Sequence, residues 1–524
     1  MAETLDVVTR SFNINNKLGP KLEAAAEQNA ILRIGWTNAG DPVPKNGELG
    51  LCPAIPKGAK IRALGKLGSW SAAFGKGGIF TIQGDSGSFL GAANDGNEIT
   101  CERTAGNYVG FAMKSGKISV LDGCGDDLGS CMTGGMIVVR GNAGTRVGGG
   151  MSGGTIVVDG DIGNDPGAGM TGGKIVINGR CPNPPEGVIL RPITEAELKE
   201  LNKSIDDDNF LIPSDSVCLE SSQDLSDAEI HKTVSSGDLS MIGLVPANEP
   251  RVMSYATCDT VALLGERSES NTPIALPLPL MPKLDDGNMA VTKKNGMPSK
   301  LIEQQPFLVS QNPRSVDFLL INTTNIVHCS EVLPQCGGLV VDLMQFPSMS
   351  AEELDGLLVA LRSMLSIEKP FGFMDGIGRV DSLHKASAYH NADLAMCVIE
   401  DESGISESAS LPLIGRSNKA NLENTYTESS ISIGFSANAE DVAKLCAAGL
   451  GFVSCSVPAN DYNDIANWLS NIQSQLSAIL RRLGLESIDA LSRANLRALD
   501  FETAAVSGLR LSGYERPLPH WFAR

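Results

Sequence analysis

Between residues 68 and 179 the apolar and polar positions repeat with a strict step of nineteen. Glycines stand at Gly68, Gly87, Gly106, Gly125, Gly144 and Gly163, each followed four places on by a small residue: Ala72, Gly91, Gly110, Gly129, Gly148 and Gly167. A turn signal then ends at Gly78, Asn97, Gly116, Gly135, Gly154 and Gly173. β-prone pairs come next, as in Ile118 and Val120, Ile137 and Val139, Ile156 and Val158, Ile175 and Ile177, while Met113, Met132, Met151 and Met170 keep the same step. A unit of this length is too short for a helix pair but fits one coil of a solenoid built from short strands and glycine corners. Six coils stacked at about 4.8 Å put like residues above like and build one continuous core. The expected fold of this region is a right-handed parallel β-helix, with glycines supplying positive φ at the corners.

The flanking pattern is aperiodic. Residues 12–26 read as a helix containing Leu18-Gly19-Pro20-Lys21-Leu22, and Ile31-Leu32-Arg33-Ile34 reads as a strand; together they are expected to cap the open end of the stack. After the repeats, Thr194-Glu195-Ala196-Glu197 is a capping box for a short helix. The acidic, serine-rich residues 204–237 read as an inter-domain linker.

From Leu244 onward apolar strands alternate with helices. The strands are Phe318-Leu319-Leu320-Ile321, Leu339-Val340-Val341-Asp342-Leu343, Phe371-Gly372-Phe373-Met374, the run from Leu394 to Ile399, Ile431-Ser432-Ile433, and Phe452-Val453-Ser454-Cys455. Ser350 and Asn438 cap two of the helices. This alternation predicts a (β/α)8-type barrel, with a doubly wound sheet as the other option. A helical stripe follows at Ile465, Trp468, Leu469, Ile472, Leu476, Ile479 and Leu483, then a second helix over 488–499 and an apolar tail, Pro517-Leu518-Pro519-His520-Trp521. The expected domains are a leader and cap (1–66), the repeat (67–192), a short helix with the acidic linker (193–243), the barrel (244–460), and C-terminal helices with the tail (461–524).

Composition narrows the functional classes. A net charge of −19 argues against a surface that tracks nucleic-acid phosphates. No run of apolar residues is long enough to span a membrane, and Met1-Ala2-Glu3-Thr4-Leu5-Asp6 lacks the basic and apolar regions of a signal peptide, so the expected location is the cytoplasm. Twelve cysteines without a CxxC pair suit reduced, buried thiols, and no HExxH or phosphate-loop motif occurs among the five histidines and 57 glycines. The Met ladder reads as core filler rather than a cofactor box. Gly84-Asp85-Ser86-Gly87 has the look of a protease serine but spells the repeat.

The polar candidates in the second half are His328 with Cys329 and Cys336, Asp375, His384, His390 and Asp393. His328-Cys329 falls at a strand end, where barrel active sites gather. An ordinary loop histidine beside a buried thiol is the preferred explanation of the pair; Asp375, after its strand, could hold a ligand, and helix capping explains it about as well.

The leader and repeats resemble the glycine-repeat β-helix domain of the glutamate synthase large chain, including Leu18-Gly19 ahead of the coils. The second half is similar to that enzyme's flavin-binding barrel: Met253-Ser254-Tyr255 matches its opening Met-Ser-Tyr, and Leu483-Gly484-Leu485-Glu486-Ser487-Ile488-Asp489 matches its ending. The order of the two modules is reversed relative to that chain, and N-methylglutamate synthase carries the same modules as separate subunits. The resemblance implies FMN and a [3Fe–4S] cluster, yet the cluster region reads Cys455-Ser456-Val457-Pro458-Ala459-Asn460, with one cysteine where several are needed. If iron were held at all, Cys455 and Cys446 would be the first places to look. The family's Asp-Gly-Gly phosphate stretch falls at Gly434-Phe435-Ser436, its Gly-Gly-Thr-Gly stretch near Glu402-Ser403-Gly404, and its Thr-Gly-Glu-Gly-Gly stretch at Asn271-Thr272-Pro273-Ile274-Ala275. Phosphate cradling needs close approach of backbone N–H groups, which those glycines would provide. The Met1-Ala2 start lacks the N-terminal cysteine of a glutaminase.

The expectation is therefore a non-catalytic scaffold or regulatory subunit of a glutamate-synthase-like oxidoreductase or amidotransferase, without cofactor or metal. Its expected partners are glutaminase-type or flavin-bearing subunits in a hetero-oligomer, with no nucleic acid and no membrane. The alternative is an FMN-dependent glutamate or N-methylglutamate synthase subunit acting without an iron–sulfur cluster. In that case Met253, Ser254, Tyr255, Gly434 and Ser436 would hold the cofactor; catalytic residues are not assigned.

Overall fold

A computed structural model describes residues 6–35, 47–205, 210–222, 238–246, 253–259, 276–284, 300–365, 369–400, 403–458 and 462–514. The chain divides into two compact units: the first comprises Met1–Ala228, Thr323–Pro334 and Ser348–Ile367, and the second comprises Glu229–Asn322, Gln335–Pro347 and Glu368–Arg524.

The first unit is organised on a ten-stranded sheet. Its strands are β1 (Ile31–Ile34), β2 (Lys60–Leu64), β3 (Ile79–Gln83), β4 (Asp95–Cys101), β5 (Ser115–Val120), β6 (Thr133–Val139), β7 (Ser152–Val158), β8 (Gly172–Ile177), β9 (Val188–Pro192) and β10 (Val217–Ser221). From β1 to β8 each strand pairs in parallel with the next in the chain, and Ile118 faces Ile137, Ile156 and Ile175 in turn, a constant step of nineteen. All four of those isoleucines, the four valine or isoleucine residues two places on, and Met113, Met132, Met151 and Met170 are fully buried in one core. The predicted ladder is thus the interior of the sheet. The register extends further forward than the glycine pattern, since Ile61 faces Phe80 and Phe80 faces Ile99.

The corners depart from expectation. Glycine does occupy the left-handed position at Gly91, Gly110, Gly129, Gly148 and Gly167, but two places earlier a column of larger residues is left-handed too. Trp70, Phe89, Tyr108, Asp127, Arg146 and Asp165 all have φ between 54° and 62°, a conformation bulky side chains rarely adopt. Two features offset the strain. The N–H of each of Trp70, Phe89, Tyr108, Asp127 and Arg146 donates to a carbonyl of the following repeat at 2.8 to 2.9 Å. The side chains also stack on one another, Trp70 on Phe89 at 4.4 Å and Phe89 on Tyr108 at 4.7 Å, and Arg146 pairs with Asp127 at 2.5 Å.

Helix α1 (Val7–Glu27) starts at Asp6, whose carboxylate accepts the Thr9 N–H, and lays Ile14, Leu18 and Leu22 on the sheet's core. Helix α2 (Glu195–Ile205) begins with the expected capping box, Thr194 and Glu197 bonding each other's N–H groups. The acidic stretch is not linker throughout: β10 inserts antiparallel between β8 and β9, because Cys218 and Leu219 bring apolar side chains into an otherwise polar segment. With α2 it covers Val138, Val157 and Val176 on the outer face of the sheet. Lys174, Arg191, Glu197 and Glu220 tie this layer together with contacts from 2.5 to 3.7 Å.

The second unit holds a closed, parallel, eight-stranded barrel, which excludes the doubly wound option. A short strand β11 (Ile242–Leu244) precedes it. The barrel and its connections follow as β12 (Leu280–Leu284), α3 (Lys300–Gln304), β13 (Leu308–Val309), β14 (Phe318–Ile321), α4 (Cys329–Val332), β15 (Gly338–Asp342), α5 (Ala351–Leu365), β16 (Phe371–Gly376), α6 (Val380–Tyr389), β17 (Leu394–Val398), α7 (Glu407–Asn421), β18 (Glu428–Ile433), α8 (Ala439–Ala447) and β19 (Phe452–Ser456). Helices α4 and α5 group with the first unit. Strands β12 and β13 were not legible beforehand, being short and flanked by proline and polar residues.

Helix α9 (Tyr462–Leu483) buries the predicted stripe at Ile465, Leu469, Ile472, Leu476 and Leu483, with Leu480 added. The helix expected over 488–499 is absent. Ser492 and Asn495 close a capped single turn instead, and β20 (Leu496–Ala498) pairs with β11 before α10 (Phe501–Ser507). Local side-chain bonds from Ser and Asn win there over helical propensity. The tail at 517–521 and the stretch 271–275 lie outside the described residues.

Candidate functional site

Strand alternation fixes which side chains reach the barrel mouth. Met281, Leu308, Leu320, Val340, Met374, Met396 and Phe452 form the interior core. Two residues further along their strands, Lys283, Ser310, Asn322, Asp342, Gly376, Val398 and Ser454 therefore lie on the inward side at the C-terminal ends, where barrel sites are built. Ser432 joins them as the register neighbour of both Val398 and Ser454.

Asp342 is buried at 4% exposure. Its carboxylate accepts the Met344 N–H at 3.1 Å and the Gln345 Nε2–H at 3.0 Å. Burial raises its pKa, opposed by the Met344 N–H and by the positive charge of Lys283, while the negative charge of Asp375 adds to the rise. Asp375, at the end of β16, is buried and held by Arg379 at 2.7 Å and by the Gly376 N–H at 2.8 Å. Ser454 Oγ is buried and has no hydrogen-bond partner among the described residues. The inward side of the mouth thus gathers one lysine, the buried Asp342 carboxylate and a serine arc on β18 and β19, while Asp375 alternates outward at the end of β16.

Gly434 and Ser436 lie just past β18, on this mouth. At Gly434 the Glu400 carboxylate already occupies the space beside the α-carbon, and a Cβ there would lie 1.9 Å from it. Ser456 Oγ donates to the Gly434 carbonyl at 3.1 Å, and Phe435 is 39% exposed. A phosphate placed at this turn would meet a carboxylate, so the turn as it stands does not fit one. Met253, Ser254 and Tyr255 precede a segment bound to the C-terminal helical region. The Thr257 N–H donates to Glu486, the Ile488 N–H donates to Thr257, and Ser477 Oγ donates to Ala256. Ser254 and Tyr255 are exposed.

Of the other candidates, Asp375 ends β16 on the outward side, between the inward Met374 and Gly376. His328 is exposed at the end of a single turn (Ile326–His328) preceding the buried Cys329. His384 is fully buried on α6, its Nδ1 2.9 Å from Ser417 Oγ and its Nε2 3.3 Å from Ser429 Oγ, and burial pushes its pKa down to about 4. His390 packs edge-on to Phe373 at 5.8 Å. Asp393 lies at the start of β17, the opposite end from the mouth, and accepts the Phe371 N–H at 2.9 Å, a position that serves stability. Burial pushes the thiol of Cys336 up to about 11 and those of Cys446 and Cys455 up to about 12, keeping them protonated. Among the described residues, no group of three or more His, Cys, Asp or Glu side chains is placed to hold a metal ion.

Sequence reasoning missed Lys283, Asp342, Glu400 and Ser454. Asp342 carried a usable signal, a carboxylate ending an otherwise apolar strand.

No protein-family model matches this sequence, and no curated protein matches it. Solved structures that align with part of this chain include a flavocytochrome b2 variant with sulfite bound, at 13% identity and a TM-score of 0.33, covering 53% of this chain and 79% of that one. A soluble mutant of the membrane-associated (S)-mandelate dehydrogenase from Pseudomonas putida gives 13% identity and 0.33, covering 50% and 88%. A mandelate oxidase mutant with a C4a-OH-FMN adduct gives 11% and 0.34, covering 49% and 87%. At this level of identity and superposition the likeness carries no functional argument. Among the described residues, no helix is long and apolar enough to cross a membrane.

Proposed function

We propose that this chain is a scaffold subunit of a glutamate-synthase-like oxidoreductase or amidotransferase assembly, its ten-stranded sheet one wall of a right-handed parallel β-helix and its barrel a relic of a flavin domain. The β-helix reading is supported by the nineteen-residue register and by a second line of parallel bridges from Ser86 to Ala105 and from Ala105 to Cys124. The observation that carries the scaffold reading is Glu400, whose carboxylate stands against Gly434 at the turn where a flavin phosphate would need backbone N–H groups. Glutaminase-type or flavin-bearing subunits are the partners this role requires.

A second reading keeps FMN and makes the chain a glutamate or N-methylglutamate synthase subunit without an iron–sulfur cluster. It is favoured by the polar mouth itself, with Lys283, Asp342 and the buried Ser454 hydroxyl, which has no partner among the described residues, at the strand ends. It requires Glu400 to swing away from Gly434. Co-purification from the native source, followed by flavin analysis of each separated subunit, distinguishes the two. Flavin on a partner alone supports the scaffold; stoichiometric FMN on this chain makes it the catalytic subunit.

A further inference from the structure

In the outer layer of the barrel, α6 and α7 pack on each other and enclose the ring of His384. Its two nitrogens meet Ser417 Oγ on α7 and Ser429 Oγ on β18, so one fully buried side chain joins three elements. Ser417 Oγ also lies 3.4 Å from the Val380 carbonyl and accepts from Asn421 Nδ2 at 3.2 Å. Serine hydroxyls accept as readily as they donate, so both contacts survive on an imidazolium. What opposes a proton on the closed ring is a buried positive charge with no carboxylate bonded to it among the described residues.

The charged groups around it do not supply one. On α6, Asp381 and Lys385 are exposed and His390 packs on Phe373; the Asp381 charge favours the proton, but burial outweighs it. On α7, Arg416 and Lys419 are exposed, and Glu407 lies at the far end, where it accepts the Leu239 N–H at 2.9 Å. Glu428 of β18 alternates inward, as the register partner of the interior Leu394. On β16 and β17, which α6 covers, Asp375 is tied to Arg379, Asp393 accepts the Phe371 N–H, and burial keeps the Cys397 thiol protonated.

The seal over the ring is weak. Pro412 stands inside α7 and has no N–H for the Ser408 carbonyl, which makes it a hinge. Beyond it the helix contains Gly415 and buries only Ile414 and Ser417. One turn past His384 on α6, the Ser387 hydroxyl is buried with no partner among the described residues. Little buried apolar surface beside unsatisfied polar groups marks a segment that opens before its surroundings.

We propose that the part of α7 beyond Pro412 is an acid-released flap: as pH falls it lifts from α6 and β18, His384 takes up a proton in water, and the barrel strands stay closed. A proton bound by the open form alone draws the equilibrium open. The sign follows from burial, which lowers the ring's pKa to about 4 in the closed form, against about 6.5 in water. The seam is tightest above about pH 6.5 and weakens as pH falls toward about 4.

Hydrogen exchange of the full chain, read by mass spectrometry at about pH 7.5 and about pH 5 and divided by the intrinsic amide rate at each pH, tests this. The two pKa values give about a thirtyfold rise in the opening equilibrium, so amides from Leu413 to Asn421 are expected to lose about thirtyfold in protection. Amides of β16, β17 and β18 should change by less than about threefold. In His384→Gln, which keeps a hydrogen-bonding group but does not titrate, the loss in α7 should also fall below about threefold. Protection in α7 of the parent that is the same at both pH values overturns the proposal without recourse to a variant. So does an equal loss in α7 and in β16 to β18, which is unfolding of the whole barrel, or the same pH dependence in the parent and in folded His384→Gln.

Discussion

The two units answer to different rules. From β2 to β8, away from the bulges, each residue of the register faces the one nineteen places away, and apolar side chains recur along the buried columns. In the barrel each strand delivers a different residue to one place, so Lys283, Asp342, Gly376 and Ser454 have nothing in common but their position on the strand. Repetition builds a core whose members are interchangeable in kind. Convergence of unlike residues is what chemistry requires, so function is sought at the mouth.

The sharpest way to break this contrast is inside the ladder. Ile137 is fully buried between Ile118 and Ile156, and Ile137→Ala is expected to cost about 2 to 5 kcal/mol in chemical denaturation by leaving a cavity the stack cannot close. Ile479, half-buried on α9, should cost much less on the same change. Equal losses would remove the distinction.

In the barrel unit the corresponding test is pH. His384 is buried neutral between two serines, with its pKa lowered from 6.5 to about 4. The unfolded chain takes up the proton first as pH falls. This group's stabilisation is therefore complete above about pH 6.5 and is lost progressively down to about pH 4, by at most about 3 kcal/mol. Denaturation curves of the parent and of His384→Leu over that range should converge in their pH dependence only if another group dominates; the expected result is a flatter profile for the variant.

Smaller again is the ion network over the sheet. Arg191 bonds both Glu197 and Glu220 at 2.6 Å and is partly exposed. Arg191→Ala should cost about 1 kcal/mol, reduced by added salt. The smallest effect is expected at His328, exposed on a turn, where His328→Ala should change stability by no more than about 0.5 kcal/mol.

Much of the architecture was legible beforehand because period and capping are local. The nineteen-residue step specified the ladder of Ile118 to Ile175, and Thr194, Ser350 and Asn438 marked three helix starts that the side-chain bonds reproduce. Other features were not local. The left-handed aromatic column of Trp70, Phe89 and Tyr108 is stabilised by stacking between repeats, which no single repeat reveals. Strand β10 is short and set in acidic sequence, and its role comes from a long-range pairing with β8. At the site, Asp375 was singled out and does end a barrel strand, but on its outward side. Lys283 and Glu400 were passed over because neither has meaning until the barrel closes and sets β12 beside β19 and Glu400 against Gly434.

The claim that most needs testing is that Glu400 closes the phosphate turn. Absorbance of the purified chain, followed by equilibrium titration with FMN, reads it directly. The account expects a colourless protein that leaves FMN fluorescence unchanged, with measurable FMN binding appearing in Glu400→Gly. A yellow protein carrying stoichiometric FMN, or parent and variant that bind FMN equally, would contradict it.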